Sequence, residues 1–224
     1  MEIKPIAYIR TDFPEKFGIP RQSGVIPSLK GRVVFEKEYR SLDAIKGLSG
    51  FNYIWLLWQF QIPAQKDFQA TVRPPRLGGN TRMGVFATRS PFRPNPIGLS
   101  SVKLETIEET DDGPVLVVSG VDLKDNTPIF DIKPYIPYAD IHEDAVDGFE
   151  DLREKRELDV CIADPLLQKL PVEKRQMLKD VLKEDPRPAY QGENREYGLL
   201  FAGYNVSFTV ENNILTVRAI EPTE

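Results

Sequence analysis

The residues best suited to chemistry stand in and beside a proline-rich loop at positions 90–98. Arg89 and Arg93 carry planar guanidinium groups, which bind carboxylate or phosphate through a fork of donors. Asn95 offers both a donor and an acceptor, as the edge of an adenine requires. Prolines on both sides hold Arg93 and Asn95 in an extended conformation. The loop therefore predicts an anion-binding or nucleotide-binding site; the alternative is a stiff corner between strands with solvated arginines.

A second candidate surface is basic. Arg73, Arg76 and Arg82 stand among glycines and prolines, a setting that suits contacts to backbone phosphates. No Asp or Glu occurs between Asp67 and Glu105. These arginines predict a nucleic-acid-binding loop, and the alternative is an ordinary surface loop.

The charge of the chain is divided unevenly. Its net charge is −5, with +9 over residues 1–103 and −14 over residues 104–224. A basic half favours an anionic partner. The alternative is that the acidic half folds back and pairs with these bases.

A third candidate is the segment that contains Asp131. Residues 124–127 predict a turn, and an apolar strand over residues 129–132 follows. Because Asp131 interrupts this strand, its carboxylate must face solvent, pair with a base such as Lys133, or serve a site.

Composition excludes several classes of site. One Cys and one His among 224 residues rule out an intrachain disulfide and a zinc site built from Cys and His. His142 is predicted to be a solvated surface residue rather than a general base, and Cys161 a small buried group. The sequence has no glycine motif for phosphate or dinucleotide binding. It has neither a run of about 18 apolar residues nor an apolar leader, so we expect a soluble cytoplasmic protein.

The hydrophobic pattern predicts a mainly β fold. The 19 prolines and 15 glycines are too many for a helical bundle and suit strands joined by turns. A short helix is predicted at 42–48, capped by Ser41. Six to eight strands with one short helix favour an antiparallel β-barrel over residues 1–139. The predicted strands lie at residues 3–10, 31–35, 51–60, 83–88, 99–107, 115–121 and 129–132.

The C-terminal third is predicted to be a second unit. Residues 140–163 form an acidic connector, in which nine acids and three bases stand between positions 140 and 159. Apolar residues at helical spacing follow, and then a hairpin of strands at 199–210 and 214–220. Residues 164–224 are therefore predicted to form a small α+β domain.

Three sequence blocks, at residues 71–80, 84–98 and 131–135, resemble one known family. The sequence is similar over almost its whole length to the TsaA/YaeB family, also called TrmO. The resemblance implies a β-barrel that binds S-adenosylmethionine without a Rossmann sheet, a small C-terminal domain, and a homodimer.

The same resemblance implies a reaction. Family members use S-adenosylmethionine to methylate N6 of the threonylcarbamoyl-modified adenosine immediately 3′ of the anticodon in tRNA. Relatives often have His where this chain has Gln61 and Gly where it has Asn126, although Asn tolerates a left-handed turn. The positions that match the family's cofactor site are Gln22, Ser23, Gly24, Gln61, Ile62, Arg89, Leu99, Lys124, Asp125, Asn126 and Thr127.

Methyl transfer from a sulfonium is an in-line displacement in which the protein mainly aligns the reactants. The lone pair of the urea-like acceptor nitrogen is delocalised, so it needs deprotonation or polarisation of the adjacent carbonyl. Asp131 is the predicted base, and Arg93 or Lys133 is the predicted polarising group. Two alternatives are a non-catalytic RNA-binding module and a regulatory barrel that binds a small molecule and no RNA.

Overall fold

The computed structural model describes residues 2–62, 68–74, 81–148, 157–187 and 195–223. The strands of the N-terminal part are β1 Ala7–Thr11, β2 Lys30–Phe35, β3 Tyr53–Gln59, β4 Thr71–Val72, β5 Met83–Gly84, β6 Ile97–Thr110, β7 Gly113–Ser119 and β8 Thr127–Pro134. Helix α1 Pro137–Asp140 follows them. The C-terminal elements are β9 Asp159–Cys161, α2 Asp164–Leu167, α3 Val172–Lys183, β10 Tyr197–Phe201, β11 Tyr204–Glu211 and β12 Ile214–Pro222.

Six strands close into a barrel in the order β1-β2-β7-β6-β3-β8, and every neighbouring pair is antiparallel. Burial alternates along β3: Ile54, Leu56 and Trp58 are buried, whereas the residues between them are more exposed. A period of two is what a strand with one face on a core requires. The predicted mainly β fold with an N-terminal antiparallel barrel is confirmed.

The C-terminal residues form a separate sheet in the order β10-β11-β12-β9, in which β9 runs parallel to β12. Helix α3 buries four apolar side chains, Met177, Leu178, Val181 and Leu182. Strand β9 lies within the predicted acidic connector, so that part of the connector pairs with the sheet. None of the helices in the described ranges is long and apolar enough to span a membrane.

Two predicted elements of the barrel are wrong in detail. Residues 42–48 form no α-helix, because Gly47 has a φ of 87° and separates two short 3₁₀ turns, Leu42–Ile45 and Leu48–Gly50. The predicted cap is present, since Ser41 Oγ accepts a hydrogen bond from Asp43 N at 3.2 Å. The predicted strand at 83–88 ends at Gly84, and a 3₁₀ turn over Val85–Ala87 follows it.

Two corrections concern the C-terminal unit. The strand predicted at 199–210 is divided between β10 and β11, because Ala202 and Gly203 both adopt positive φ and reverse the chain. The predicted turn before β12 is confirmed, with Asn212 and Asn213 also at positive φ. Cys161, predicted to be buried, is exposed at the end of β9.

One segment of the barrel packs against the C-terminal sheet. We call residues 12–29, which connect β1 and β2, the anchored loop. Phe13 is buried with its ring centroid 5.4 Å from that of Phe201. Phe17 stacks against both Tyr197 and Phe208, at 6.5 Å from each, and these two rings also stack on one another at 5.5 Å. Aromatic pairs at these distances add to the energy of burial.

Polar contacts hold the same loop. Asp12 forms an ion pair with Lys174, and Ser28 Oγ donates a hydrogen bond to Asp180 at 2.8 Å. Both partners belong to helix α3. The anchored loop is therefore fixed by aromatic packing on the C-terminal sheet and by polar contacts to its helix.

Candidate active site

A cavity of about 440 Å³ opens at one end of the barrel, a volume typical of small-molecule sites. It lies where β3 and β7 end and where β6 and β8 begin. Loops between strands supply the rest of its wall. Its lining residues are Lys16, Ile19, Pro20, Arg21, Gln22, Trp58, Phe60, Gln61, Thr88, Arg89, Pro91, Arg93, Ile97, Gly98, Leu99, Asp122, Lys124 and Thr127.

An aromatic floor closes the cavity. Trp58 lies opposite Gly98 in the pairing of β3 with β6, and its ring centroid is 4.3 Å from that of Phe60. A Cβ added to Gly98 would lie 2.3 Å from the Trp58 indole. Only glycine therefore allows the indole to lie flat against β6.

The anchored loop supplies one wall, from Lys16 to Gln22. Gly18 has a φ of 87°, and a Cβ there would meet Leu199 of the C-terminal sheet at 2.3 Å. Ser23 Oγ accepts a hydrogen bond from Ser101 N at 3.1 Å, and Gly24 N donates to Gly120 O at 2.9 Å. Ser23 and Gly24, predicted as cofactor ligands, do not line the cavity and instead fix this wall to the barrel.

Arg89 and the proline-rich loop supply another wall. The guanidinium of Arg89 donates a hydrogen bond to Gln22 Oε1, which joins this wall to the anchored loop. Arg93 Nη1 donates to Thr88 O at 2.6 Å and to Val85 O at 3.2 Å. Arg93 therefore stabilises the 3₁₀ turn that precedes Arg89, while both side chains reach the cavity.

The predicted turn at residues 124–127 lies beside the cavity. Asn126 has a φ of 61°, so the left-handed conformation expected for it is confirmed. Gln61 Nε2 donates to Asn126 O at 2.9 Å, and Gln61 Oε1 accepts from Lys124 Nζ at 3.3 Å. Lys124, Thr127 and Gln61 line the cavity, but Asn126 does not.

Two other predicted cofactor ligands lie outside the lining. Asp125 Oδ1 accepts a hydrogen bond from Thr11 N at 2.9 Å, which directs this carboxylate toward β1. Ile62 N donates to Phe60 O at 3.0 Å. The predicted ligands that the structure brings together around the cavity are Gln22, Gln61, Arg89, Leu99, Lys124 and Thr127.

The predicted catalytic pair Asp131 and Lys133 forms an ion pair of 2.8 Å. Their side chains are 44% and 60% exposed, respectively. Neither lines the cavity, whereas Arg93 does. The pair has the geometry predicted from its spacing, but it lies on the outer surface of the barrel beside Leu57 and Trp55 in the strand pairing.

Four arginines of the basic stretch keep their charge available. Arg73, Arg82, Arg89 and Arg93 form no ion pair with a carboxylate in the part of the chain that the structure describes. Arg82 Nη1 donates to Thr71 Oγ1 at 3.3 Å. Arg76 lies outside the described residues. In the described residues, no carboxylate of the acidic half forms an ion pair with these four arginines, although the charge of Arg89 acts on Asp122.

A carboxylate that the sequence analysis missed lines the cavity. Asp122 Oδ1 accepts a hydrogen bond from Ser100 Oγ at 2.6 Å. Burial raises the pKa of Asp122 to about 6, although the hydrogen bond from Ser100, backbone N–H groups and the charge of Arg89 act in the opposite direction. In the sequence, the pattern that could have identified Asp122 is an acid between two apolar residues, Val121 and Leu123, which are both fully buried.

Asp122→Asn is expected to raise stability at alkaline pH. The ordinary pKa of this carboxyl is 3.8 and its folded-state pKa is about 6, so folding binds a proton between these values. Wild-type stability therefore falls as pH rises from about 4 to 6, by up to about 3 kcal/mol, and the variant avoids this loss. Urea unfolding at pH 4 and pH 8 measures the difference, with Asp112→Asn on the exposed surface as control. An equal effect of Asp122→Asn at both pH values would contradict the expectation.

The sequence profile of the tRNA-methyltransferase O N-terminal domain matches residues 8–141, and that of the TrmO C-terminal domain matches residues 156–223. The chain belongs to the TrmO family. The family predicted from the three sequence blocks is confirmed.

Individual TrmO relatives match most of the chain. The tRNA (adenine(37)-N6)-methyltransferase of Escherichia coli K12 is 40% identical, over 99% of this chain and 98% of its own. A putative S-adenosylmethionine-dependent methyltransferase, RcsF of Pseudomonas aeruginosa, is 41% identical over 88% of this chain and 87% of its own. A crystal structure of TrmO from Pseudomonas aeruginosa superposes with a TM-score of 0.76 at 30% identity, covering 98% of each chain. Both the barrel and the C-terminal unit of this chain are thus features of TrmO.

Proposed function

We propose that this protein transfers a methyl group from S-adenosylmethionine to N6 of adenosine 37 in tRNA. The main support for this proposal is the sequence identity of 40% to the Escherichia coli tRNA (adenine(37)-N6)-methyltransferase, over 99% of this chain. A cytoplasmic location is part of this proposal. The cavity at the barrel end, with its aromatic floor and polar walls, is the proposed site of the reaction.

The side chains around the cavity fit the proposed cofactor chemically. Trp58, Phe60 and Leu99 offer aromatic and apolar contacts for an adenine ring. Gln22 and Gln61 carry amides that can both donate and accept, and Arg89 can bind the carboxylate of the methionyl group. When bound, the cofactor supplies a methyl group on a positively charged sulfur. The chain's own task is to align donor and acceptor and exclude water.

The modified form of the adenosine is the finer part of the proposal. A threonylcarbamoyl group carries a carboxylate and a urea carbonyl, both of which suit cationic donors. Five cations line the cavity, namely Lys16, Arg21, Arg89, Arg93 and Lys124. This surplus of positive charge supports an acceptor that brings its own carboxylate in addition to that of the cofactor.

The catalytic roles predicted for Asp131, Lys133 and Arg93 stay predictions. Arg93 lines the cavity, where its guanidinium could polarise a urea carbonyl. Asp131 and Lys133 lie on the outer surface of the barrel, so their roles require an acceptor bound there.

The predicted homodimer also stays a prediction. Exposed apolar side chains on the same outer surface of the barrel, such as Tyr53, could be covered by a second copy.

The reaction is tested by nucleoside mass spectrometry of tRNA from cells with and without the gene. We expect the methylated threonylcarbamoyladenosine to disappear without the gene and to return with the wild-type protein. Purified protein should transfer radiolabelled methyl groups to tRNA from the deletion strain. Tight RNA binding without transfer would indicate an RNA-binding module, and cofactor binding without RNA binding a regulatory barrel.

Arg89→Ala is expected to weaken binding of S-adenosylmethionine by about 10- to 100-fold, the usual effect of losing a charged hydrogen bond. Arg89 lines the cavity and bridges to Gln22, so its loss also frees that wall. Calorimetric titration measures the dissociation constant. Arg218→Ala, on the surface of the C-terminal sheet, is the control. An unchanged dissociation constant would remove Arg89 from the proposed cofactor site.

Arg73→Ala combined with Arg82→Ala is expected to weaken tRNA binding and flatten its salt dependence. Each phosphate contact adds roughly 0.7 to 0.9 to the slope of log affinity against log salt, so two contacts account for about 1.5. Fluorescence anisotropy between 50 and 300 mM salt, as rough assay limits, gives both slopes. Arg32→Ala with Arg218→Ala removes the same charge elsewhere. If both double variants keep the wild-type slope, the basic loop does not bind the tRNA backbone.

A further inference from the structure

A buried chain of hydrogen bonds leads to the cavity from inside the barrel. Trp58 Nε1 donates to Ser100 Oγ at 2.9 Å, and Ser100 Oγ donates to Asp122 Oδ1 at 2.6 Å. Ser100 is fully buried and Trp58 nearly so. Because the indole N–H can only donate, it directs the serine hydroxyl toward the carboxylate. One carboxylate oxygen is thus held from behind while Asp122 lines the cavity in front.

Asp122 shares the cavity with charged groups from three segments, and the charge of Arg89 acts on it directly. Lys16 and Arg21 belong to the anchored loop, Arg89 and Arg93 stand beside and in the proline-rich loop, and Lys124 belongs to the turn that follows Asp122. The packed strands β3 and β6 present the uncharged Trp58 and Ser100. Among the described residues that line the cavity, Asp122 is the only carboxylate. Among these described residues, Asp122 is therefore the carboxylate that is available to accept a proton from a molecule bound in the cavity.

We propose that Asp122 is the proton acceptor of the methyl transfer, and that Ser100 and Trp58 are its positioning residues. This assignment rests on the proposed function. It gives the role of base, for which the sequence pattern singled out Asp131, to a carboxylate that lines the cavity.

The proposed step conserves atoms and charge. The acceptor nitrogen gives its proton to a carboxylate oxygen of Asp122 and uses its electron pair to form the new bond to the methyl carbon. The electron pair of the broken carbon–sulfur bond stays on sulfur, which becomes a neutral thioether. One positive and one negative charge disappear together, which a partly desolvated cavity favours. Asp122 then releases its proton to solvent through the cavity mouth.

The pKa of Asp122, raised by burial to about 6, supports this role. A base is most effective when its pKa lies just below the working pH, because it is then both ionised and basic. The Ser100 hydroxyl lowers this pKa, so its removal should move the pKa upward. Ser100→Ala therefore tests whether Ser100 positions Asp122. The readout is the direction in which the pKa of Asp122 shifts, in addition to any loss of rate.

The kinetic test measures single-turnover methyl transfer to tRNA between pH 5 and pH 8.5, at saturating cofactor. We expect the wild-type rate to fall below about pH 6, following one ionisation. Asp122→Asn should lower the rate by about 100-fold or more, the usual value of general base catalysis. It should also abolish the fall in rate at low pH, which is the acid limb of the pH–rate profile. Ser100→Ala should shift the midpoint of this acid limb to higher pH, and Trp58→Phe, which lacks the N–H donor, should shift it in the same direction.

A second measurement needs neither cofactor nor tRNA. Carbon-13 NMR of protein labelled at the Asp carboxyl carbons should show one resonance that titrates near pH 6 in the wild type. This resonance should be absent from Asp122→Asn and titrate at higher pH in Ser100→Ala. Calorimetric titration measures the affinity for S-adenosylhomocysteine. Asp122→Asn should bind it within about threefold of wild type, because the proposed contact of Asp122 is with the acceptor nitrogen and not with the cofactor.

The outcomes separate the two proposals. An active wild type with an equally active Asp122→Asn, or loss of the acid limb in Asp131→Asn instead, overturns the assignment of Asp122 and leaves the proposed function intact. A wild type that transfers no methyl group to tRNA overturns both. Loss of the limb, the rate and the carboxyl resonance together in Asp122→Asn supports the assignment.

Discussion

Replacing Phe13 by Ala is expected to lower the free energy of unfolding by about 3 to 5 kcal/mol, the usual cost of truncating a buried Phe. The Phe13 ring is buried against Phe201, and its carbonyl accepts a hydrogen bond from Asp125 N at 2.7 Å. One residue thus joins the C-terminal sheet to the turn beside the cavity. Urea unfolding followed by fluorescence measures the change, and calorimetry should show weaker binding of S-adenosylmethionine.

Phe51→Ala is the matched control, since Phe51 is 38% exposed whereas Phe13 is 1% exposed, so the loss of Phe51 should cost much less. Phe13→Leu should recover much of the stability because it refills part of the cavity left by Ala. If Phe13→Ala were as stable as Phe51→Ala, the packing between the anchored loop and the C-terminal sheet would not contribute to folding.

Gly98→Ala is expected to damage the proposed cofactor site directly. The added methyl group would lie 2.3 Å from the Trp58 indole, so the indole must move toward the cavity. Overpacking of this kind costs about 1 to 3 kcal/mol of stability. We also expect affinity for S-adenosylmethionine to fall at least 100-fold, since a displaced indole occupies part of the site and loses its bond to Ser100. Thermal melting and calorimetric titration measure the two effects.

Gly50→Ala provides the comparison, because a Cβ at Gly50 meets nothing within 4 Å. It should leave cofactor affinity at the wild-type value. A second substitution, Trp58→Leu in the Gly98→Ala background, should relieve the clash and recover stability without recovering the aromatic floor. Wild-type affinity in Gly98→Ala would show that the indole does not form the floor of the cofactor site.

Period-two burial made the barrel predictable from sequence. Strands such as β3 bury alternate residues, and this pattern is visible in the residue types alone. The errors lie where a single backbone angle decides the structure. Gly47 at a φ of 87° divides the predicted helix, and Ala202 at a φ of 51° divides a predicted strand. Alanine has no sequence preference for that conformation, so the neighbouring Gly203, which also has positive φ, was the local signal available for this turn.

The site was predictable only where its residues are close in sequence. The proline-rich loop and the turn at 124–127 were found because each is a compact cluster of polar residues. Asp122 was missed because its meaning depends on Trp58 and Ser100, which are distant in sequence and meet only through strand pairing. Asp131 was singled out by the same signal, an acid in an apolar run, yet it lies on the opposite side of the strands. Local pattern identifies unusual acids but does not show which face they occupy.

The anchored loop also has a consequence for how the protein is made. Every described residue that lines the cavity lies at or before position 127, but Tyr197, Phe201 and Phe208, which support one wall, follow about 70 or more residues later. A ribosome therefore synthesises the described side chains that line the cavity well before it synthesises the surface that holds Phe13 and Phe17. During this interval the nascent barrel lacks a support for the segment that contains Gln22. A chain that stops before Tyr197 therefore lacks the residues that pack against Phe13 and Phe17, and one wall of its cavity has no support.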